Sequence, residues 1–166
     1  MRLTLHDGGR RAAIVGWSTG DAIVAYASPT PPTDPVRQKP CLTAADADRI
    51  MTAARRFADE RQWRVTIAVV DDGGYLLRLE RMDGASLQSP EVATMKARTA
   101  ALSRQPTKRM EDLVRDRPGM LRFPDRLPIQ GGLPLLHDGE CVGGIGVSGV
   151  QSHEDEEIAA AGVAVL

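Results

Sequence analysis

The chain predicts an α+β fold, an antiparallel β-sheet with α-helices packed on it, and three observations carry that expectation. Two separate segments read as β-hairpins, Val65 to Glu80 around Asp71-Asp72-Gly73-Gly74 and Leu133 to Val147 around Asp138-Gly139. Helical patterns stand before, between and after them, and no βαβ alternation calls for a parallel sheet. The length, 166 residues, allows one domain with a real core and is short for two.

The elements follow in order. Thr43 opens the first helix as a cap, with Asp46 at the capping-box position, and Ala47, Ile50, Met51, Ala54, Phe57 and Ala58 recur at helical spacing. Val65 to Asp71 is β-rich and almost uncharged, so both of its faces are expected to be covered. Tyr75, Leu77 and Leu79 alternate with Leu76, Arg78 and Glu80, as a half-exposed second strand would. Ser89-Pro90 reads as the cap and first position of a second helix, which Ala93, Ala97, Ala100 and Ala101 make narrow. A short helix restarts at Pro106-Thr107 and runs through Met110, Leu113 and Val114 until Pro118-Gly119 ends it. Pro134 cannot donate to a ladder, which places its strand at an edge or a bulge. Ser152 caps a last helix with an acidic first turn.

Residues 1 to 40 differ from the rest. Two short strands are expected at residues 12–15 and 22–26, followed by a proline-rich linker over 28–35. The organisation expected is an N-terminal extension and linker over 1–40, dispensable for folding, and a domain over 41–166.

Composition narrows the function. The formal net charge is -1 with charges of mixed sign, so nucleic acid is not an expected partner. No run approaches the ~20 apolar residues of a membrane span, and no signal-peptide core is present, so the chain reads as cytoplasmic. Cys41 and Cys141 stand in unrelated contexts and form neither a disulfide framework nor a zinc motif. Aromatics are 4%, so a flat ligand would meet aliphatic walls more than stacked rings.

Gly144-Ile145-Gly146-Val147-Ser148-Gly149 has the spacing G-x-G-x-x-G, but no βαβ unit and no acidic strand end follow it, so the dinucleotide reading fails. Close approach of the backbone to a packed helix is favoured over approach to a ligand. In Arg81-Met82-Asp83-Gly84-Ala85 two readings stand: an Arg81–Asp83 pair that fixes a turn, or an anion-orienting Arg81 at a pocket rim. Lys96 shares a helical face with Val92 and Thr99; a snorkelling stem is favoured over a pocket cation. His153, Glu154 and Glu157 have metal-compatible spacing, yet acid at a helix start has its own electrostatic cause, and no metal site is assigned.

Five motifs carry a resemblance: Val69-Val70-Asp71-Asp72-Gly73-Gly74, Arg81 to Ala85, Lys96-Ala97-Arg98-Thr99-Ala100, Gly131-Gly132-Leu133-Pro134, and Val142 to Gly149. Together with the closing helix around Asp155, they closely resemble the GlcG/HbpS-like, or haem-degrading-domain, family over about three-quarters of the chain. The resemblance implies a profilin-like antiparallel sheet flanked by helices, assembly into homo-oligomers, and a small-molecule ligand. It is also similar to the C-terminal domain of PduO-type proteins, which binds haem. The implied cofactor is haem or another planar, carboxylate-bearing group, with breakdown by oxygen and a reductant as a further expectation. The implied site takes Arg81 and Lys96 toward carboxylates, Asp83 beside them, Thr107 near the metal, and Gly131 and Gly132 as wall. Some haem-binding relatives use a histidine near the first helix, whereas this chain has none between His6 and His137. The rival readings are an enzyme acting on a small organic acid through Lys96, Asp83 or Asp71, and a structural accessory subunit.

Overall fold

A computed structural model describes residues 38–166 and, before them, the backbone of a two-residue hairpin in which β1 (His6–Asp7) pairs with β2 (Arg10–Arg11). The strands expected at 12–15 and 22–26 and the linker over 28–35 lie outside the described residues. The chain divides into two units, Met1–Gln38 and Lys39–Leu166, and the second carries the sheet and every helix described.

That unit runs α1 (Ala44–Glu60), β3 (Thr66–Asp71), β4 (Leu76–Arg81), α2 (Ser89–Ser103), α3 (Thr107–Asp116), a 3-10 turn (Pro118–Arg122), β5 (Gly132–His137), β6 (Glu140–Ser148) and α4 (Ser152–Val163). The four strands form one antiparallel sheet in the order β4-β3-β6-β5. The fold is α+β. Helices α1 and α4 pack together on one face, over a core that includes Ile50, Ala54, Ile67, Val69, Ile145, Val147 and Ile158. Helix α2 covers the other face through Ala93, Ala97 and Ala101 against Ala68 and Val70. β3 and β6 are central and buried on both sides, which explains their uninterrupted apolar character.

The capping box forms as expected. Asp46 N–H donates to Thr43 Oγ1 at 3.2 Å, and Thr43 N–H donates to Asp46 Oδ2 at 2.9 Å. The Thr43 hydroxyl and amide, with Arg49, hold the Asp46 carboxyl down at about 2. A depressed carboxylate stabilises the fold fully above its unfolded value, and that contribution is lost as the pH falls toward 2. Thr43→Ala is expected to cost about 1 kcal/mol in urea unfolding and to return the Asp46 titration toward the ordinary range. An unchanged midpoint would show that the box contributes nothing.

Three local expectations need correction. Ser89 does not cap α2: Gln88 occupies that position, while the Ser89 hydroxyl donates to Ser86 O at 2.6 Å and pairs with Thr66 Oγ1 at 2.7 Å in the buried interior. Ser152 is likewise the first helical residue of α4, and the cap is Gln151, whose N–H donates to Glu154 Oε2 at 2.9 Å. The alternation of β4 is broken by a register shift at Val69/Val70, so Leu79 pairs with Ala68 and Leu76 with Val70. Leu77 instead packs against the α1/α4 core. Pro134 does lie on an edge strand, and Asp138 and Gly139 take φ of 49° and 79° in their turn.

Candidate functional site

Helix α2 lies unusually close to β6 because glycines face it. A Cβ on Gly146 would stand 2.2 Å from Ala93 O, and one on Gly144 would stand 2.4 Å from Ala97 O. The glycine-rich segment therefore answers helix packing.

That approach brings Lys96 of α2 to the end of the sheet. Lys96 is 2% exposed, and its Nζ donates to Asp155 Oδ2 at 2.8 Å and to Val147 O at 3.0 Å. It does not snorkel. Its charge is met inside the protein by α4, from the opposite face of the sheet. Burial pushes the Asp155 carboxyl up; hydrogen bonding and attraction from Lys96 and the Val150 N–H oppose that. Gly131 makes room for the pair: its φ is +119°, and a Cβ there would stand 2.8 Å from Lys96 Nζ. Gly132 lies 2.5 Å, by the same measure, from Lys96 O.

Thr107, fully buried at the start of α3, joins this cluster. Its Oγ1 accepts the Gly132 N–H at 2.9 Å and donates to Gly132 O at 3.3 Å. The hydroxyl thus fastens the first turn of α3 to the edge strand. Four of the residues expected at the site, Lys96, Thr107, Gly131 and Gly132, come together in this way.

Arg81 and Asp83 do not join them. Arg81 is the last residue of β4, opposite Thr66 of β3, and β4 stands three strand spacings from β5, which is roughly 15 Å. Both side chains are exposed, and among the described residues they form no ion pair with each other. Gly84 does form the expected turn, with φ +87°. Asp71 lies at the far end of β3, where its Oδ1 accepts the Gly73 and Tyr75 N–H groups at 2.9 and 2.8 Å. Asp71 and Asp83 therefore lie apart from Lys96.

Next to the Thr107 cluster the surface opens into a cleft of about 440 Å³ between the end of α2, α3 and the 3-10 turn. Pro106, Met110, Leu113 and Met120 supply its apolar lining, and Ser103, Gln105, Arg109 and Asp116 its polar groups. The exposed Arg109 forms no ion pair among the described residues. Lys108 is instead paired with Asp112, toward which Arg115 also reaches at 3.7 Å. The strong amphipathicity of α3 signals this cleft in the sequence, because Met110, Leu113 and Val114 form a stripe that remains only half-buried. Asp155 carries no comparable signal, since an acid in a first turn looks like ordinary helix electrostatics.

Among the described residues no group of three His, Cys, Asp or Glu side chains could hold a metal ion, and no helix is long and apolar enough to cross a membrane.

Comparison with known proteins follows the same 42-onward boundary. The family described as haem degrading protein HbpS-like matches residues 42–164. Protein GlcG of Escherichia coli K12 is 39% identical over 114 residues, spanning 68% of this chain and 85% of that protein. A double mutant of Streptomyces reticuli HbpS superimposes with a TM-score of 0.77 at 35% identity, covering 84% of this chain and 97% of that one. The crystal structure of a PduOC:heme complex gives a TM-score of 0.70 at 30% identity, covering 76% and 95%.

Proposed function

Because this chain belongs to the haem-degrading HbpS-like family, we propose that it binds haem, or a related planar ligand bearing carboxylates, in the cleft beside α3. The observation that carries this reading is the cleft itself. Its volume of about 440 Å³ lies within the usual range for small-molecule sites, roughly 300–1,000 Å³, with apolar walls and few polar groups. Pro106, Met110, Leu113 and Met120 offer the contact that a flat macrocycle needs, and Arg109 offers a cation for a carboxylate. The residues present therefore fit the group. The PduOC:heme complex, similar in fold and sequence, supports haem as the ligand to test first.

Arg109 takes the role expected of Lys96, whose charge Asp155 already meets. Thr107 contributes by anchoring α3 to Gly132. Charge-assisted bonds contribute roughly 1.5–3 kcal/mol, so Arg109→Gln is expected to weaken a haem titration about tenfold or more. Arg81→Gln, on the far edge of the sheet, should leave it unchanged. If Arg81→Gln weakens binding and Arg109→Gln does not, the ligand sits at the strand ends and the cleft is the wrong site. A wild-type protein that develops no Soret band with haem refutes the binding reading.

A further inference from the structure

We propose that a second copy of this chain docks on the open edge of β4, antiparallel to it and centred on Leu79, so that the two sheets continue into one another. Among the described residues β4 is bonded on one side only, to β3. Met82 N–H donates to Val65 O at 3.0 Å, and the register runs on through Thr66 with Arg81, Ile67 with Glu80, Ala68 with Leu79 and Val69 with Arg78. In an antiparallel pair, opposed residues exchange backbone bonds alternately. The bonds to β3 therefore fall to Glu80 and Arg78, and the N–H and C=O groups of Leu79 and Arg81 point outward from the sheet edge.

The two edges of the sheet are not alike. β5 carries Pro134, which has no donor, and a register shift at Leu135/Leu136, and both features discourage pairing. β4 has no proline, and its own register shift stands at its start, leaving Arg78 to Arg81 regular. It also shows apolar surface, with Leu76 50% and Leu79 40% exposed. These two oppose Val70 and Ala68, which pack on α2, so they share that face of the sheet.

An open edge by itself takes any extended chain, and here the charges choose the partner. Arg78 and Glu80 both reach α1, where Arg78 Nε donates to Asp48 Oδ1 at 2.6 Å and Glu80 pairs with Arg55. In a self-pair centred on Leu79, Leu79 faces the partner's Leu79 and their outward backbone groups bond. Arg78 then faces the partner's Glu80, in the non-hydrogen-bonded pairs where side chains stand closest. An alternating row results: Asp48, Arg78, the partner's Glu80 and the partner's Arg55, repeated by the two-fold axis. Centring the pair on Arg78 or on Glu80 would set like charges face to face. It would also turn toward the seam backbone groups that β3 already holds. The edge is thus matched to its own sequence in one register. The seam lies across the sheet from α3, which Thr107 fastens to β5, so pairing leaves the cleft open and does not depend on what the cleft binds.

The test is sedimentation of the full chain at micromolar concentration, with Arg78→Glu and Glu80→Arg made singly. Wild type should appear at twice 17.9 kDa or a multiple of it, and each single variant at half the wild-type mass. An equimolar mixture of the two variants should recover the wild-type mass, because only the mixed pair again sets opposite charges across the seam. The ion pairs lost within each copy are partly exposed, so both variants should still melt cooperatively. Amide exchange of the wild type is the second reading, independent of any substitution: the Leu79 N–H should exchange more slowly as protein concentration rises. A monomeric wild type overturns the proposal, and so does a Leu79 N–H that exchanges equally fast at every concentration. Single variants that keep the wild-type mass place the contact on another surface and overturn it too. Folded variants that stay at half the mass when mixed overturn the register centred on Leu79.

Discussion

Replacing Lys96 by methionine is expected to destabilise the protein by about 3–5 kcal/mol, because it leaves Asp155 buried without its partner. The stem is kept, so packing against Gly131 changes little and the loss is mainly electrostatic. For a domain of this size the melting temperature should fall by on the order of 10 °C or more. The pH dependence carries the sign. Burial already raises the Asp155 carboxyl, and removing Lys96 removes the main influence that lowers it. A carboxyl whose folded value lies above its unfolded one favours the folded state most when protonated, and that contribution is lost as the pH rises through the folded value. The deficit of Lys96→Met should therefore shrink on acidification toward pH 4. Lys96→Met combined with Asp155→Leu should recover much of the loss, since a buried pair is often matched by apolar residues of similar volume. Chemical denaturation at pH 5 and pH 8 reads all of this. A single variant within 1 kcal/mol of wild type would mean that the pair does not hold α2 to α4.

The second large effect is expected at Gly146. An alanine there would place its Cβ 2.2 Å from Ala93 O and 2.3 Å from Ala97 N, and both are backbone atoms of α2. No side chain can swing aside, so the helix must lift from the sheet. The cost should exceed about 4 kcal/mol, in the exceptional range for a point substitution, and should appear as low solubility or loss of a cooperative melt. Gly119→Ala is the control: a Cβ there meets nothing within 4 Å, and the change should stay within about 0.5 kcal/mol. A Gly146→Ala protein that melts like wild type would show that β6 and α2 are farther apart than described, and would reopen the ligand reading of the glycine segment.

Much of the architecture was legible because it depends on local chemistry. Thr43 with Asp46, the Asp71 to Gly74 turn, the Asp138-Gly139 turn and Pro134 on its edge strand are each decided within a few residues by capping, positive φ or a missing donor. Family membership was legible for a similar reason, since its motifs are contiguous blocks. Ser89 was misread because its hydroxyl has two competing uses. A cap bond lies along the chain, but the partner it takes, Thr66, is 23 residues away and reaches it only through the sheet.

The candidate site divides in the same way. The sequence by itself determined an α+β domain of this family, with an unusual lysine on α2 and no histidine in the central block. Tertiary structure alone decided what those features mean. It spent the Lys96 charge on Asp155, 59 residues away, and set Arg81 on the opposite edge of the sheet. It also left the stripe of α3 half-open over a cleft containing Arg109, Met110 and Met120. The physical reason is that burial and charge pairing depend on which elements share an end of the sheet, and strand order is settled by packing across the whole domain, not by any single segment.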